Sequence, residues 1–297
     1  MEVKQIAVLG AGIMGHGIAQ VFAQVGKFEV NMRDVEQRFI DNGMTMINDS
    51  LSRFVRKGTI SEKESNEALN RIHTTLDLEK AVQGVDLVVE AITENPALKK
   101  AVVTDVAKYA PAHAIIASNT SSVSITDIST VTGRPEKVCG MHFFNPPQLM
   151  KLIEIIRGLK TSDETIDIIR EVSRKIGKEP VIVNRDTPGF IVNRILVPAI
   201  NEAVYLLAEG VAEREDIDKA CELGLNWPMG PLKLLDYIGV DTGLLITEVM
   251  VNETGDPKYR PSNLLRQMVR GNMLGRKTGQ GFYDWTKKES HRKPIQI

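Results

Sequence analysis

Three features of the sequence predict an α/β chain, a doubly wound sheet followed by an all-α domain. Over the first two-thirds, short β-branched runs alternate with amphipathic stretches of helix length. The first of these runs turns into the first helical stretch through three spaced glycines. Beyond Arg185 the apolar spacing becomes helical throughout.

QIAVLG (5–10), FEVNMRD (28–34), VDLVVEAI (85–92), AIIASNT (114–120), KVCGMHFF (137–144), KLIEII (151–156) and EPVIVN (179–184) read as strands. Helices are expected between them at 13–26, 96–110 and 163–177. Strands that alternate with helices imply a mainly parallel sheet covered on both faces. Past a boundary near 184–188, TPGFIVNRILVPAINEAVYLLAEG (187–210) has Pro188 near a plausible helix start and Gly210 as a stop. Pro198 inside it is expected to kink or break the helix. The segments at 214–225, 234–251 and 262–274 are helical in period, so the domains are expected at 1–184 and 185–297. The polar, aperiodic end, 287–297, reads as a loose tail.

Composition narrows the function classes. Of the 297 residues, 42% are hydrophobic and 25% charged, and the net charge of −1 offers no basic surface for nucleic acid. No window is long and apolar enough for a transmembrane helix, and the N-terminus lacks the layout of a signal peptide. Two isolated cysteines, Cys139 and Cys221, argue against a disulfide framework and for a reducing, cytoplasmic setting. No pattern of metal-ligand spacing occurs.

VLGAGIMG places Gly10, Gly12 and Gly15 in dinucleotide-binding spacing between strand and helix, with Ala11, Ile13 and Met14 filling the loop. The first glycine permits the tight turn, the second lets backbone approach a pyrophosphate, and the third packs helix on strand. Asp34, 19 residues beyond Gly15, ends the second strand where an acid binds ribose hydroxyls. Together these predict a Rossmann-type domain that binds NAD. Arg33 keeps NADP open, since an arginine there can accommodate a 2′-phosphate.

His142 lies in GMHFFNPPQLMKLIEII at the carboxyl end of a predicted strand, where ligands bind in open α/β sheets. Glu154, twelve residues on, is within reach if the two strands form a hairpin. The pair suits a general acid/base oriented by a carboxylate, but on these residues alone a packed core histidine is the more ordinary reading. His16, His73, His113 and His291 read as structural or solvated. Phe143 and Phe144 read as packing.

The stretches VLGAGIMGHGIAQ, DLVVEAITEN, ASNTSSVSIT, GMHFFNPPQLMKLIEII, KEPVIVNRDTPGFIVNRILVP, NWPMGPLKLLD and GRKTGQGFYDW resemble the 3-hydroxyacyl-CoA dehydrogenases, most closely the bacterial 3-hydroxybutyryl-CoA members. The resemblance runs from residue 6 to about 285. It implies reversible hydride transfer between NAD(H) and a short (S)-3-hydroxyacyl-CoA or 3-oxoacyl-CoA, with acetoacetyl-CoA reduction as the expected direction. It further implies His142 as acid/base with Glu154, Ser121 bonding the reacting oxygen, and Asn193 reaching the substrate. The resemblance also implies Asn145 near the nicotinamide, and Glu94, Lys99 and Lys277 on the cofactor side. Ser50 and Lys57, two helical turns apart, match positions that contact CoA. A homodimer or higher homo-oligomer is expected. The alternatives are a β-hydroxyacid dehydrogenase acting on free acids, which would rely on a lysine, and a non-catalytic nucleotide-binding protein.

Overall fold

A computed structural model describes residues 2–286; the predicted tail at 287–297, with His291, lies outside the described residues. The chain divides into two compact units, the first ending at Phe190 and the second beginning at Ile191.

The first unit is one eight-stranded sheet. Its strands are β1 (Gln5–Leu9), β2 (Glu29–Arg33), β3 (Ile72–Thr75), β4 (Leu87–Glu90), β5 (Ile115–Ser118), β6 (Val138–Phe143), β7 (Leu152–Arg157) and β8 (Glu179–Val183). They lie in the order β3-β2-β1-β4-β5-β6-β7-β8. Every pairing is parallel except that of β6 with β7. The direction of winding reverses between β1 and β4, the crevice where open α/β sheets bind ligands.

Among the described residues, seven α-helices pack on this sheet: α1 (Gly15–Gln24), α2 (Gln37–Arg56), α3 (Glu62–Asn70), α4 (Leu78–Val82), α5 (Pro96–Tyr109), α6 (Ile125–Ser129) and α7 (Asp163–Lys175). Successive strand residues point to opposite faces. Ile6 and Val8 enter a core shared with Phe22, Ile47 and Ile169, while Ala7 and Leu9 enter another shared with Val103 and Ile128. Both faces are therefore dry, which is why these strands read as continuous apolar runs. The eighth strand, β3, escaped the sequence reading. It is four residues long, three of them polar, and lies at the sheet's edge, so no alternation marks it.

The second unit is helical, with α8 (Val192–Ala208), α9 (Arg214–Gly224), α10 (Pro231–Ile238), α11 (Val240–Thr254) and α12 (Asn263–Arg270). Its core gathers Ile200, Val204, Leu232, Leu235, Val240, Leu265 and Phe282. Two expectations are corrected here. Helix α8 starts at Val192 rather than near Pro188, because Gly189 and Phe190 both take positive φ, which a helix cannot include. The segment expected to be helical at 234–251 is two helices, separated by Gly239 at φ 103. Helix α8 continues through Pro198, so the proline does not end it. Two buried aspartates tie the chain's last described turns to these helices. Asp236 accepts from the amides of Phe282 and Tyr283 and from the Trp285 indole, and Asp218 accepts from the Tyr283 hydroxyl.

Candidate active site

The glycine loop follows β1. Gly10 has φ 102, and a Cβ on it would lie 2.6 Å from the Ala91 carbonyl oxygen. A Cβ on Gly15 would lie 1.8 Å from the Gly10 oxygen, so only glycine lets α1 start this close to β1. Around Gly12 the space is open, with nothing within 4 Å. Gly12 and Ile13 are exposed at the tip, Met14 is half-buried, and Ala11 is buried. No side chain caps α1 at Met14, so the positive end of the helix faces the loop. The loop thus fits a dinucleotide pyrophosphate: two glycines fix its shape and the third leaves room. Asp34, just past β2, accepts the Ala11 amide at 2.7 Å and the Val35 amide at 2.6 Å, which aims its carboxylate at the loop. Arg33 beside it is held by the Leu76 carbonyl through Nε at 3.1 Å.

The carboxyl ends of β4 and β5 carry a layered charge network. At its base Glu90, 0% exposed, accepts from Lys99 Nζ, the Ile92 amide and the Ser118 hydroxyl at 2.8, 2.8 and 2.6 Å. Lys99, 1% exposed, also reaches the Ile92 carbonyl at 3.3 Å and Glu94 at 3.1 Å. Above it one Glu94 oxygen gathers the Thr120 hydroxyl at 2.6 Å, the Ser121 and Ser122 amides at 2.8 and 3.0 Å, and the Ser122 and Ser121 hydroxyls at 2.9 and 3.2 Å. Burial alone would raise the Glu94 carboxyl, but the Lys99 ammonium and the Thr120 hydroxyl outweigh it and hold the group at about 2. Lys99 thus sits beneath Glu94 with protein acceptors around its ammonium. Lys100 instead pairs with Asp127 in the exposed layer.

His142 and Glu154 are directly opposite each other in the antiparallel register of β6 and β7. The ring's Nδ1 lies 2.8 Å from a Glu154 oxygen, with the histidine 6% and the glutamate 0% exposed. A carboxylate accepts only, so Nδ1 carries the hydrogen of this bond and Nε2 is the atom left for other chemistry. Phe144, two residues along the same strand face, packs on the imidazole at a ring distance of 4.7 Å, and Phe190 does so at 5.5 Å. Phe143 points the other way, into the core against Phe22. Asn119 accepts the Phe143 amide through its side-chain oxygen at 2.8 Å and so fixes the end of β5 against the end of β6. Asn145 stands exposed just past β6.

The first unit therefore gathers the Gly10–Gly15 loop, Asp34, Glu94, Lys99, Ser121, His142, Glu154 and Asn145 along the carboxyl ends of β1, β2, β4, β5 and β6. Ser50 lies on the buried face of α2, aligned with Ile40, Gly43 and Ile47, while Lys57 is exposed at the helix's C-cap. Asn193 and Lys277 belong to the second unit. Asn193 is half-buried in the first turn of α8, and lines an apolar cleft with Leu196, Ile200, Leu235 and Ile246. Lys277 forms an ion pair with Asp241. Phe190, Asn119 and Glu90 had no sequence signal as site residues beyond their place at segment ends. Among the described residues no cluster of potential metal ligands occurs, and no helix is long and apolar enough to cross a membrane. Both cysteines are free, and burial pushes the Cys139 thiol up to about 12.

A glycine-bounded loop at the switch point of a doubly wound sheet defines the class, a nucleotide-binding α/β protein with a helical second unit. Comparison with known proteins narrows it. Residues 5–187 match the NAD binding domain of 3-hydroxyacyl-CoA dehydrogenase, and residues 189–285 match the C-terminal domain of the same enzyme. A probable 3-hydroxybutyryl-CoA dehydrogenase of Bacillus subtilis is 49% identical over 98% of this chain and 100% of its own length. A 3-hydroxybutyryl-CoA dehydrogenase of Clostridioides difficile is 46% identical over 95% of this chain and 100% of its own. The crystal structure of an (S)-3-hydroxybutyryl-CoA dehydrogenase from Ralstonia eutropha superposes with a TM-score of 0.92 at 44% identity, covering 96% of this chain and 100% of that one. The chain belongs to the 3-hydroxyacyl-CoA dehydrogenase family.

Proposed function

We propose that this protein is an NAD-dependent dehydrogenase that interconverts (S)-3-hydroxybutyryl-CoA and acetoacetyl-CoA, with His142 as the acid/base. The observation that carries the reading is the buried His142–Glu154 pair at the carboxyl edge of a sheet that ends β1 in a dinucleotide loop. Bound NAD(H) would supply or accept the hydride. The loop at Gly10–Gly15 would hold its pyrophosphate and Asp34 its ribose hydroxyls, and the Asp34 charge disfavours the 2′-phosphate of NADP.

The chain's own groups handle the proton. In the reducing direction His142 Nε2 donates to the substrate's 3-oxo oxygen, and in the oxidising direction it takes the proton back. Glu154 fixes the tautomer and stabilises the imidazolium. Phe144 and Phe190 limit water around the ring. Ser121, whose hydroxyl makes the longest of the hydrogen bonds to Glu94, turns toward the reacting oxygen while its amide keeps the loop in place. Lys99 and Glu94 preserve that loop for cofactor and substrate. The family resemblance assigns Asn193 to the substrate, Lys277 to the cofactor, and Ser50 and Lys57 to the CoA.

Exposed Ile195, Leu223, Leu225 and Leu245 on the second unit support a homodimer. Free, unpaired cysteines support a cytoplasmic enzyme. The test is an NADH absorbance assay with acetoacetyl-CoA and with free acetoacetate, repeated with NADPH. Turnover confined to the thioester and NADH supports the reading. Preference for the free acid overturns it.

A further inference from the structure

The loop that joins His142 to Glu154, residues 144–151, is pinned from an outer strand. Lys178, 7% exposed at the end of the turn before β8, donates from Nζ to the Pro147 carbonyl at 2.5 Å and the Met150 carbonyl at 2.7 Å. Its partners are backbone carbonyls rather than a carboxylate, an expensive way to bury an ammonium, and burial lowers its pKa. The other side of the same loop abuts the dinucleotide helix. A Cβ on Gly17 of α1 would come within 2.9 Å of Gln148 Oε1 and 3.0 Å of Pro147 Cδ. The loop is thus clamped between a buried cation and the first turn of α1, with Asn145 at its start.

We propose that Lys178 is a positioning residue for the nicotinamide end of the cofactor, acting through the 144–151 loop and Asn145. This rests on the proposed function and on the family resemblance, which implies Asn145 beside the nicotinamide. A residue that only stabilised the fold would affect all ligands alike. A clamp on this loop affects NADH and spares ADP-ribose, which shares the pyrophosphate and ribose contacts but lacks nicotinamide.

The experiment compares wild type, Lys178→Met, Lys178→Arg and Gly17→Ala as full-length chains, with NADH and ADP-ribose titrated separately by calorimetry. The binding readout needs no turnover, so it stands even if the proposed substrate is wrong. Lys178→Met is expected to weaken NADH about tenfold, the scale of losing hydrogen bonds from a charged donor, with ADP-ribose within twofold of wild type. Lys178→Arg should recover most of the loss. Gly17→Ala, which pushes on the loop with the lysine intact, should show the same selective loss and decides the matter if Lys178→Met does not fold. Wild-type NADH affinity in the folded variants, or equal weakening of both ligands, overturns the proposal.

Discussion

Replacing Glu154 by Gln keeps the size and one hydrogen-bond acceptor beside His142 but removes the charge. The pair is 2.8 Å apart between Nδ1 and the carboxylate oxygen, and its side chains are 8% and 0% exposed, so water screens it little. With charge centres about 4 Å apart and an effective dielectric near 20, the attraction for an imidazolium is about 4 kcal/mol. A neutral amide recovers about 1 kcal/mol of that as an ordinary hydrogen bond. The remaining loss, about 3 kcal/mol, corresponds to roughly a hundredfold slower turnover, and more if the amide favours the wrong tautomer. The assay is single-turnover oxidation of NADH by acetoacetyl-CoA, with NADH affinity measured separately. Affinity within twofold and a rate down by about two orders of magnitude are expected. A Glu154→Gln rate within threefold of wild type would refute the idea that the carboxylate supports a charged His142.

Other consequences are equally measurable. Ser121→Ala should lower kcat/KM for acetoacetyl-CoA about tenfold with NADH affinity unchanged, the scale of one hydrogen bond to the reacting oxygen. Gly12→Ala should fold with wild-type Tm and bind NADH more weakly, whereas Gly15→Ala, whose Cβ would meet the Gly10 oxygen, should lose stability first; thermal melts with and without NADH separate them. Glu94 is held at about 2, below its unfolded value, so its stabilising contribution is full above pH 4.5 and fades as pH falls toward 2. With its side chain 32% exposed, that contribution is discounted to about 1–3 kcal/mol, and Glu94→Gln should flatten the urea-unfolding stability profile across that window.

What the sequence revealed depended on how local each cause is. The glycine loop was legible because a turn at positive φ and two close backbone approaches leave little choice but glycine at Gly10 and Gly15. The meeting of His142 with Glu154 was legible because a twelve-residue separation suits a hairpin, and β6 and β7 are the antiparallel pair of the sheet. Phe144 on the imidazole follows from strand period alone, while Phe190 comes from a segment whose path past β8 no periodicity describes. The Glu90–Lys99–Glu94 stack was hidden for a similar reason. Its members look like a solvated helix start in sequence, and only the sheet's register puts Ser118 and Thr120 over them. The break at Gly239 and the edge strand β3 were missed because a helical apolar pattern continues across the first and four residues are too few to show alternation in the second.

The central claim is that His142 moves the proton in a hydride-transfer reaction on an acyl-CoA. The measurement that tests it most directly is stopped-flow oxidation of NADH by acetoacetyl-CoA in wild type and His142→Gln, with NADH binding determined in both. The expected result is rapid oxidation by the wild type and a rate at least about a thousandfold lower in the variant, within the range for losing a general acid, with NADH bound as tightly. Wild-type rates in His142→Gln, or no oxidation by the wild type, would contradict the account.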